Sequence, residues 1–339
     1  MNKQEKYIFI WLLIGCFMVF AMVGIGGITR LTESGLSMVD WKLLMDAIPP
    51  MNESDWVIKF NEYKQFPEYN ELNKHFSLSE FKSIFWWEFI HRFFGRLIGV
   101  VFILPFLFFV FKGWINKNVG LQLSVLLMLG AFQAFIGWYM VKSGLINVPR
   151  VSHFRLALHL ITAFITFGYT LWLALNFYYK HKETALQASK KIKTMLLFFL
   201  LLLSIQILYG AFVAGKDAGL VHNHFPKMES GQWIADAAFA IEPLYLNFIE
   251  SKSGIQFIHR YLAYIVFFFA CFIWYKARSI SVKPSLSFGV NMIMLMVSVQ
   301  FILGVLTLLY HVPISLGVLH QLGALALFGG AVFSLHRAV

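Results

Sequence analysis

His91, His159, His259 and His320 are the residues of this chain whose type and placement best suit metal chemistry. Each stands in the first turns of a long apolar run, and four residues after each comes a small one: Gly95, Ala163, Ala263 and Ala324. On a helix, positions i and i+4 share a face, so each histidine has an open strip of helix beside it. A flat macrocycle could lie there. Neutral imidazole is a good iron ligand, and a heme held between two helices takes one from each side. Zinc would ask for Cys, Asp or Glu to complete four ligands, or for an open catalytic shell. The neighbourhood of these histidines offers no such set. Heme propionates need cationic partners, and Arg92 and Arg260 directly follow His91 and His259, with Arg96 and Arg155 near. The same arginines could equally snorkel to a membrane surface. Two hemes, one for each histidine pair, are the chemistry these residues suggest.

The elements that must position them are membrane helices. Hydrophobic types make up 59% of the 339 residues and charged types 13%, well below the charge of an average soluble domain. Eight apolar runs, at roughly 7–28, 84–111, 119–141, 154–178, 194–214, 255–276, 286–309 and 316–335, are each long enough to cross a bilayer as a helix. The expected fold class is therefore all-α, a polytopic membrane protein. The net charge of +11 would fit nucleic acid, but the basic residues sit in short loops. Lys3, Lys6, Lys112, Lys117, Lys180, Lys182, Lys190, Lys191, Lys193, Lys276, Arg278, Lys283 and Arg337 all fall on one side of the expected topology. The positive-inside rule makes that side cytoplasmic or matrix-facing and places both termini there; the expected location is a cell inner (plasma) membrane with both termini cytoplasmic and lipid as the surrounding partner. No basic stripe points to nucleic acid. Cys16 and Cys271 lie inside apolar runs and suggest neither a disulfide nor a thiolate site. The long loop after the first run is expected to carry short surface helices between Ser54 and Phe81.

The chain repeats itself. Phe89-Ile90-His91-Arg92 returns as Phe257-Ile258-His259-Arg260, Gln133 with Gly137 as Gln300 with Gly304, and Val148-Pro149 as Val312-Pro313. Glu33-Ser34-Gly35-Leu36 after the first run is matched by Asp217-Ala218-Gly219-Leu220 after the fifth. The expected organisation is two pseudo-symmetric four-helix bundles, residues 1–180 and 181–339. Four spans in each give both the same orientation, a parallel repeat. All four histidines then lie at one depth, near the outer face.

One difference breaks the repeat. Glu88 precedes His91 by three residues, and Gln256 stands at the matching place before His259. A carboxylate at a membrane boundary is costly and usually functional. Beside a heme edge it could accept protons or stabilise developing positive charge. The other histidines are weaker ligand candidates: His153, His222, His224 and His311 fall in or beside outer loops, and His75, His181 and His336 read as solvent-facing. Gln133, Gln206 and Gln300 read as interhelical hydrogen bonders. From these residues alone a diheme b-type electron carrier without porphyrin chemistry stays open, although such a carrier would usually set hemes on both sides of the membrane. A transporter on a parallel repeat also stays open, with the buried glutamines its one hint.

The segment Gly26-Gly27-Ile28-Thr29-Arg30-Leu31-Thr32-Glu33-Ser34-Gly35-Leu36-Ser37-Met38, followed by Trp41, resembles the first outer loop of heme A synthases of the mitochondrial and alphaproteobacterial type. Glu88-Phe89-Ile90-His91-Arg92 resembles that family's Glu-x-x-His motif, and His159, His259-Arg260 and His320 match its remaining histidines in order. The resemblance covers essentially the whole chain. The loop cysteines of other branches are absent. It implies an oxidoreductase that converts the C8 methyl of heme O to a formyl group through a hydroxymethyl stage and a hydrated aldehyde, giving heme A for terminal oxidases. Heme O, the substrate, would sit between His91 and His159 with Glu88 at the reacting edge. A resident heme b would sit between His259 and His320 and pass electrons. A heme O synthase would be the donor, and an unidentified acceptor would take the electrons.

Overall fold

The computed structural model describes residues 1–39, 48–145, 149–181, 190–280 and 282–338; Trp41, Val148 and Lys182 lie outside them. Eleven α-helices are seen among the described residues, with no strand element. They are α1 (Lys3–Leu31), α2 (Glu53–Tyr63), α3 (Pro67–Glu71), α4 (Leu78–Phe111), α5 (Lys117–Lys142), α6 (His153–Tyr179), α7 (Lys190–Gly215), α8 (Tyr245–Ile249), α9 (Lys252–Arg278), α10 (Pro284–Leu309) and α11 (Ile314–Ala338). Eight of these, α1, α4, α5, α6, α7, α9, α10 and α11, are long and apolar enough to cross a membrane. They coincide with the eight runs expected from sequence, and the all-α polytopic class holds. The short surface helices expected between Ser54 and Phe81 are α2 and α3.

Side-chain caps set several starts. Ser77 and Glu80 form a reciprocal capping box at α4, and Asn52, Asn116 and Ser251 cap α2, α5 and α9 by accepting backbone N–H groups. α4 has 34 residues, roughly 50 Å at the helical rise. That exceeds the roughly 30 Å of hydrocarbon, so one end of α4 must stand clear of lipid.

The chain divides into two compact units: Ala21–His159, and Met1–Phe20 together with Leu160–Val339. α1 and α6 each contribute to both. In the 21–159 unit, α2 packs on the start of α4 through Trp56, Phe60, Tyr63, Phe81, Phe85 and Phe89, all buried, with Met38 in the same cluster. The Trp56 and Phe85 ring centroids lie 5.0 Å apart, and those of Tyr63 and Phe81 5.2 Å. Aromatics repeating at three and four residues on both helices supply one continuous apolar face. This cluster seats the loop over the amino-terminal turns of α4.

In the larger unit, α6 meets α11 through Phe164 and Phe328 at 5.6 Å. Gly168 and Gly329 allow the close approach, since a Cβ on either would fall 2.8 and 3.1 Å from the partner helix's phenylalanine. At the other end of this unit Glu5 takes Lys180 at 2.6 Å and His181 at 3.1 Å. His336, read as solvent-facing, is instead half-buried: its ring lies 4.8 Å from that of Trp172 and bonds Asn176 at 2.9 Å. The aromatic face of α6 was there to be paired, and the spacing of α11 alone could not show it.

The internal repeat has a backbone counterpart. Glu33 and Asp217, matched residues just past α1 and α7, both adopt a left-handed conformation with φ 53°, uncommon for residues other than glycine. The two turns that lead from the first span of each half into its long loop are thus built alike.

Candidate functional site

Every one of the four histidines rests against a glycine of the helix preceding it among the spans. A Cβ on Gly26 (α1) would stand 3.2 Å from the His91 ring, on Gly137 (α5) 3.2 Å from His159, on Gly210 (α7) 3.2 Å from His259, and on Gly304 (α10) 2.9 Å from His320. A side chain at the first three would ask the imidazole to give by a few tenths of an ångström, and at Gly304 something must shift. Three of the histidines are also held by their main chain. Gln133 Nε2 donates to the His159 carbonyl at 3.0 Å, Gln206 to that of His259 at 3.0 Å and Gln300 to that of His320 at 2.8 Å. A carbonyl oxygen has two lone pairs, so these bonds add to the helical ladder without breaking it.

The His259 and His320 rings lie near each other, with centroids 6.5 Å apart and planes nearly perpendicular at 84°. A metal–imidazole bond is about 2 Å, so two imidazoles on opposite sides of one ion place their centres roughly 6 Å apart. The pair fits an iron between the rings. His159 Nδ1 and His259 Nδ1 are buried with no protein partner among the described residues. Buried donors and acceptors are normally paired, and a bound metal would be one way to engage these imidazoles. His91 and His159 both belong to the 21–159 unit. The structure thus keeps each expected pair within one unit.

Glu88 is buried, and its carboxylate accepts three bonds. Ser37 Oγ and the Met38 N–H each donate to Oε2 at 2.7 Å, and Arg92 Nη2 donates to Oε1 at 2.6 Å. Arg92 also donates to the Met38 carbonyl at 2.7 Å. The carboxylate therefore fastens the start of the first long loop to α4. In the larger unit Arg260, in the matching place, donates to the carbonyls of His222, His224 and Lys227 at 3.1, 2.9 and 3.0 Å, and Gln256 donates to that of His222 at 3.3 Å. His222 in turn bonds Ser253 Oγ at 2.8 Å and approaches Glu229 at 3.2 Å. Burial holds the His222 pKa below its ordinary value, with Glu229 pulling the other way. Both arginines, read as partners for propionates, are engaged by loop oxygens here.

A second buried carboxyl lies under the first loop. Glu68 takes a bond from Tyr63 Oη at 2.9 Å, and Asn73 donates to that hydroxyl at 2.8 Å. Burial, with the charges of Glu88 and Glu33, pushes the Glu68 carboxyl up to about 8 against the bond from Tyr63.

Several contributors escaped the sequence reading. Gly26 and Gly210 have no histidine nearby in sequence, so nothing local marked them. Gln206 with Gly210 repeats the spacing of Gln133 with Gly137 and of Gln300 with Gly304, a signal that could have found the cradle. Ser37 and the Met38 main chain serve Glu88 across about 50 residues of chain, and no local pattern encodes that.

Eight apolar helices with half-buried histidine pairs, one pair in each compact unit, define a polytopic helical membrane protein with a duplicated histidine site. The profile of the COX15-CtaA family, described as cytochrome oxidase assembly protein, matches residues 9–332, and the chain belongs to this family. It is 48% identical over 338 residues to the heme A synthase of Flavobacterium psychrophilum, covering 99% of both chains. It is 42% identical over 336 residues to that of Nitrosospira multiformis, covering 98% of this chain and 94% of the relative. To heme A synthase COX15 of Arabidopsis thaliana it is 43% identical over 335 residues, 96% of this chain and 73% of the relative.

Proposed function

We propose that this enzyme, a heme A synthase, oxidises the C8 methyl of heme O to a formyl group, with heme O held by His91 and His159 and a resident heme b held by His259 and His320. The observation that carries the division of labour is the Glu88/Gln256 difference at matched places before His91 and His259. When bound, heme b supplies a one-electron relay. The rest is done by the chain. Gly210 and Gly304 seat the two rings, and Gln206 and Gln300 fix the height of their helices, so the ligands are oriented before the group arrives.

On the substrate side Glu88 places a negative charge beside the first ligand. Both of its oxygens are engaged by donors. That favours a charge that stabilises positive charge developing at the porphyrin edge over a base that captures the proton. Arg92 and Met38 hold it in place. Heme O arrives from a heme O synthase in the same membrane, and electrons leave to a separate acceptor. The basic residues of the short loops support an inner-membrane location with both termini cytoplasmic.

The test is cofactor analysis of the purified protein. Heme B together with heme O, or its hydroxylated or formyl product, is the expected extract. Heme B alone at two per chain would overturn the reading in favour of a diheme carrier.

A further inference from the structure

Three of the four histidines sit in a cradle with two contacts. A glutamine amide holds the histidine's main-chain carbonyl, and a glycine four residues further along the same helix seats its ring: Gln133 with Gly137, Gln206 with Gly210, Gln300 with Gly304. Residues four apart lie on one helix face, so each pair grips one histidine at two heights. In low-dielectric surroundings such a bond fixes the rotation and depth of the ligand helix, and so the approach of the imidazole. Gln300 is also bound closely: its amide nitrogen lies 3.1 Å from His320 Nδ1, and its oxygen lies against Gly323.

The fourth cradle is incomplete. Gly26 seats the His91 ring as the others do, but four residues before it stands Met22. Methionine has no amide to donate. Its methyl Cε lies 3.4 Å from where a Cβ of Gly95 would be, one turn beyond His91 on α4. α4 therefore meets a flexible, polarizable side chain at the point where α9, in the matching place, meets a hydrogen bond. We propose that His91 is the ligand of the four built to let go of its iron, and that Met22 is the positioning residue that permits it. This rests on the reading that the His91/His159 site holds a heme that must leave after reaction. A resident group is served by two pinned ligands. An exchanged one is served by one pinned ligand, His159, and one yielding ligand.

The test uses the full-length protein purified with its hemes. Holoprotein is chased with excess apomyoglobin, and the hemes remaining on it are separated by type over time. Heme O with heme A reports the amino-terminal site, and heme B the carboxy-terminal one. Met22→Gln is expected to slow loss of heme O and heme A by roughly three- to tenfold, the span of a single interhelical bond, with heme B loss unchanged. Gln206→Met is expected to speed heme B loss by a similar factor and to leave the other site alone. Met22→Leu, which restores no amide, is expected to release at the parent rate. It separates the amide from a general packing change should Met22→Gln fold poorly. An unchanged release rate in Met22→Gln together with an unchanged one in Gln206→Met would overturn the proposal alone. Absence of any heme O or heme A from the purified parent would overturn the underlying functional reading with it.

Discussion

At the start of α4 the preceding loop is tied down by a carboxylate and an arginine. At the start of α9 the corresponding loop is tied down by an amide and an arginine. The position of the arginine is the same and its partners differ. Arg92 divides its bonds between Glu88 and the Met38 carbonyl, whereas Arg260 gives all of its bonds noted above to main-chain carbonyls. Both clasps satisfy buried polar groups, as a membrane-embedded site requires. Only the first puts a carboxylate three residues before one of the four histidines. The repeat accounts for the shared clasp, and the Glu/Gln exchange is where the two copies differ; on the function proposed above, that is where their uses diverge. On that proposal, a site that only holds a heme has no need of a buried carboxylate, which is costly to desolvate. A site that stabilises a developing cation does.

This contrast can be broken most severely at the ligands. His259→Ala or His320→Ala is expected to yield protein without heme B, and to abolish conversion. His91→Ala is expected to abolish or cripple conversion while heme B content stays at the parent level. Pyridine hemochrome spectra and extracted-heme chromatography check both. Equal loss of heme B in all three variants would erase the distinction between the halves.

Next in size is the exchange that defines it. Glu88→Gln keeps the shape and most of the acceptor capacity while removing the charge. Conversion of heme O is expected to fall by about 10²- to 10³-fold, the range seen when one preorganised electrostatic contact is lost. The reciprocal Gln256→Glu is not expected to create activity in the second half. Single-turnover conversion measures both, and a Glu88→Gln protein working at the parent rate would remove Glu88 from the mechanism.

The glycine seats sharpen the comparison. Gly304→Val adds bulk where a Cβ already falls 2.9 Å from the His320 ring. Its cost is expected in heme B content and in the low-spin spectrum, with the heme O site spared. Gly26→Val should do the reverse, displacing His91 and sparing heme B.

The smallest expected effect concerns the first loop alone. The Glu68 pKa is raised from 4.5 to about 8. The folded chain then keeps a proton that the unfolded chain has lost, so stability falls as pH rises from about 4.5 through 8. Glu68→Gln is expected to flatten that fall. Limited proteolysis of the α2–α3 region between pH 5 and 9 measures it, and a parent protein equally protected at both ends would contradict the burial argument.

Composition and run length alone determined the eight spans, because a lipid-crossing backbone must satisfy its own hydrogen bonds and can do so only as long apolar helices. The histidines and the Glu88/Gln256 difference were equally legible, because the chain carries its own second copy for comparison. Those motifs resemble the family to which the whole chain belongs. Tertiary structure decided the rest. It set Gly26 and Gly210 under histidines far away in sequence. It aimed Ser37 and the Met38 N–H at Glu88, and it turned Arg92 and Arg260 toward loop carbonyls. It also gave Met22 a meaning, since a methionine in an apolar helix carries no signal until three glutamines are seen gripping the other ligands. The physical reason is the same throughout. Periodicity is written in the order of residues along one helix, whereas a contact between helices depends on the rotation and depth of both, which packing alone determines.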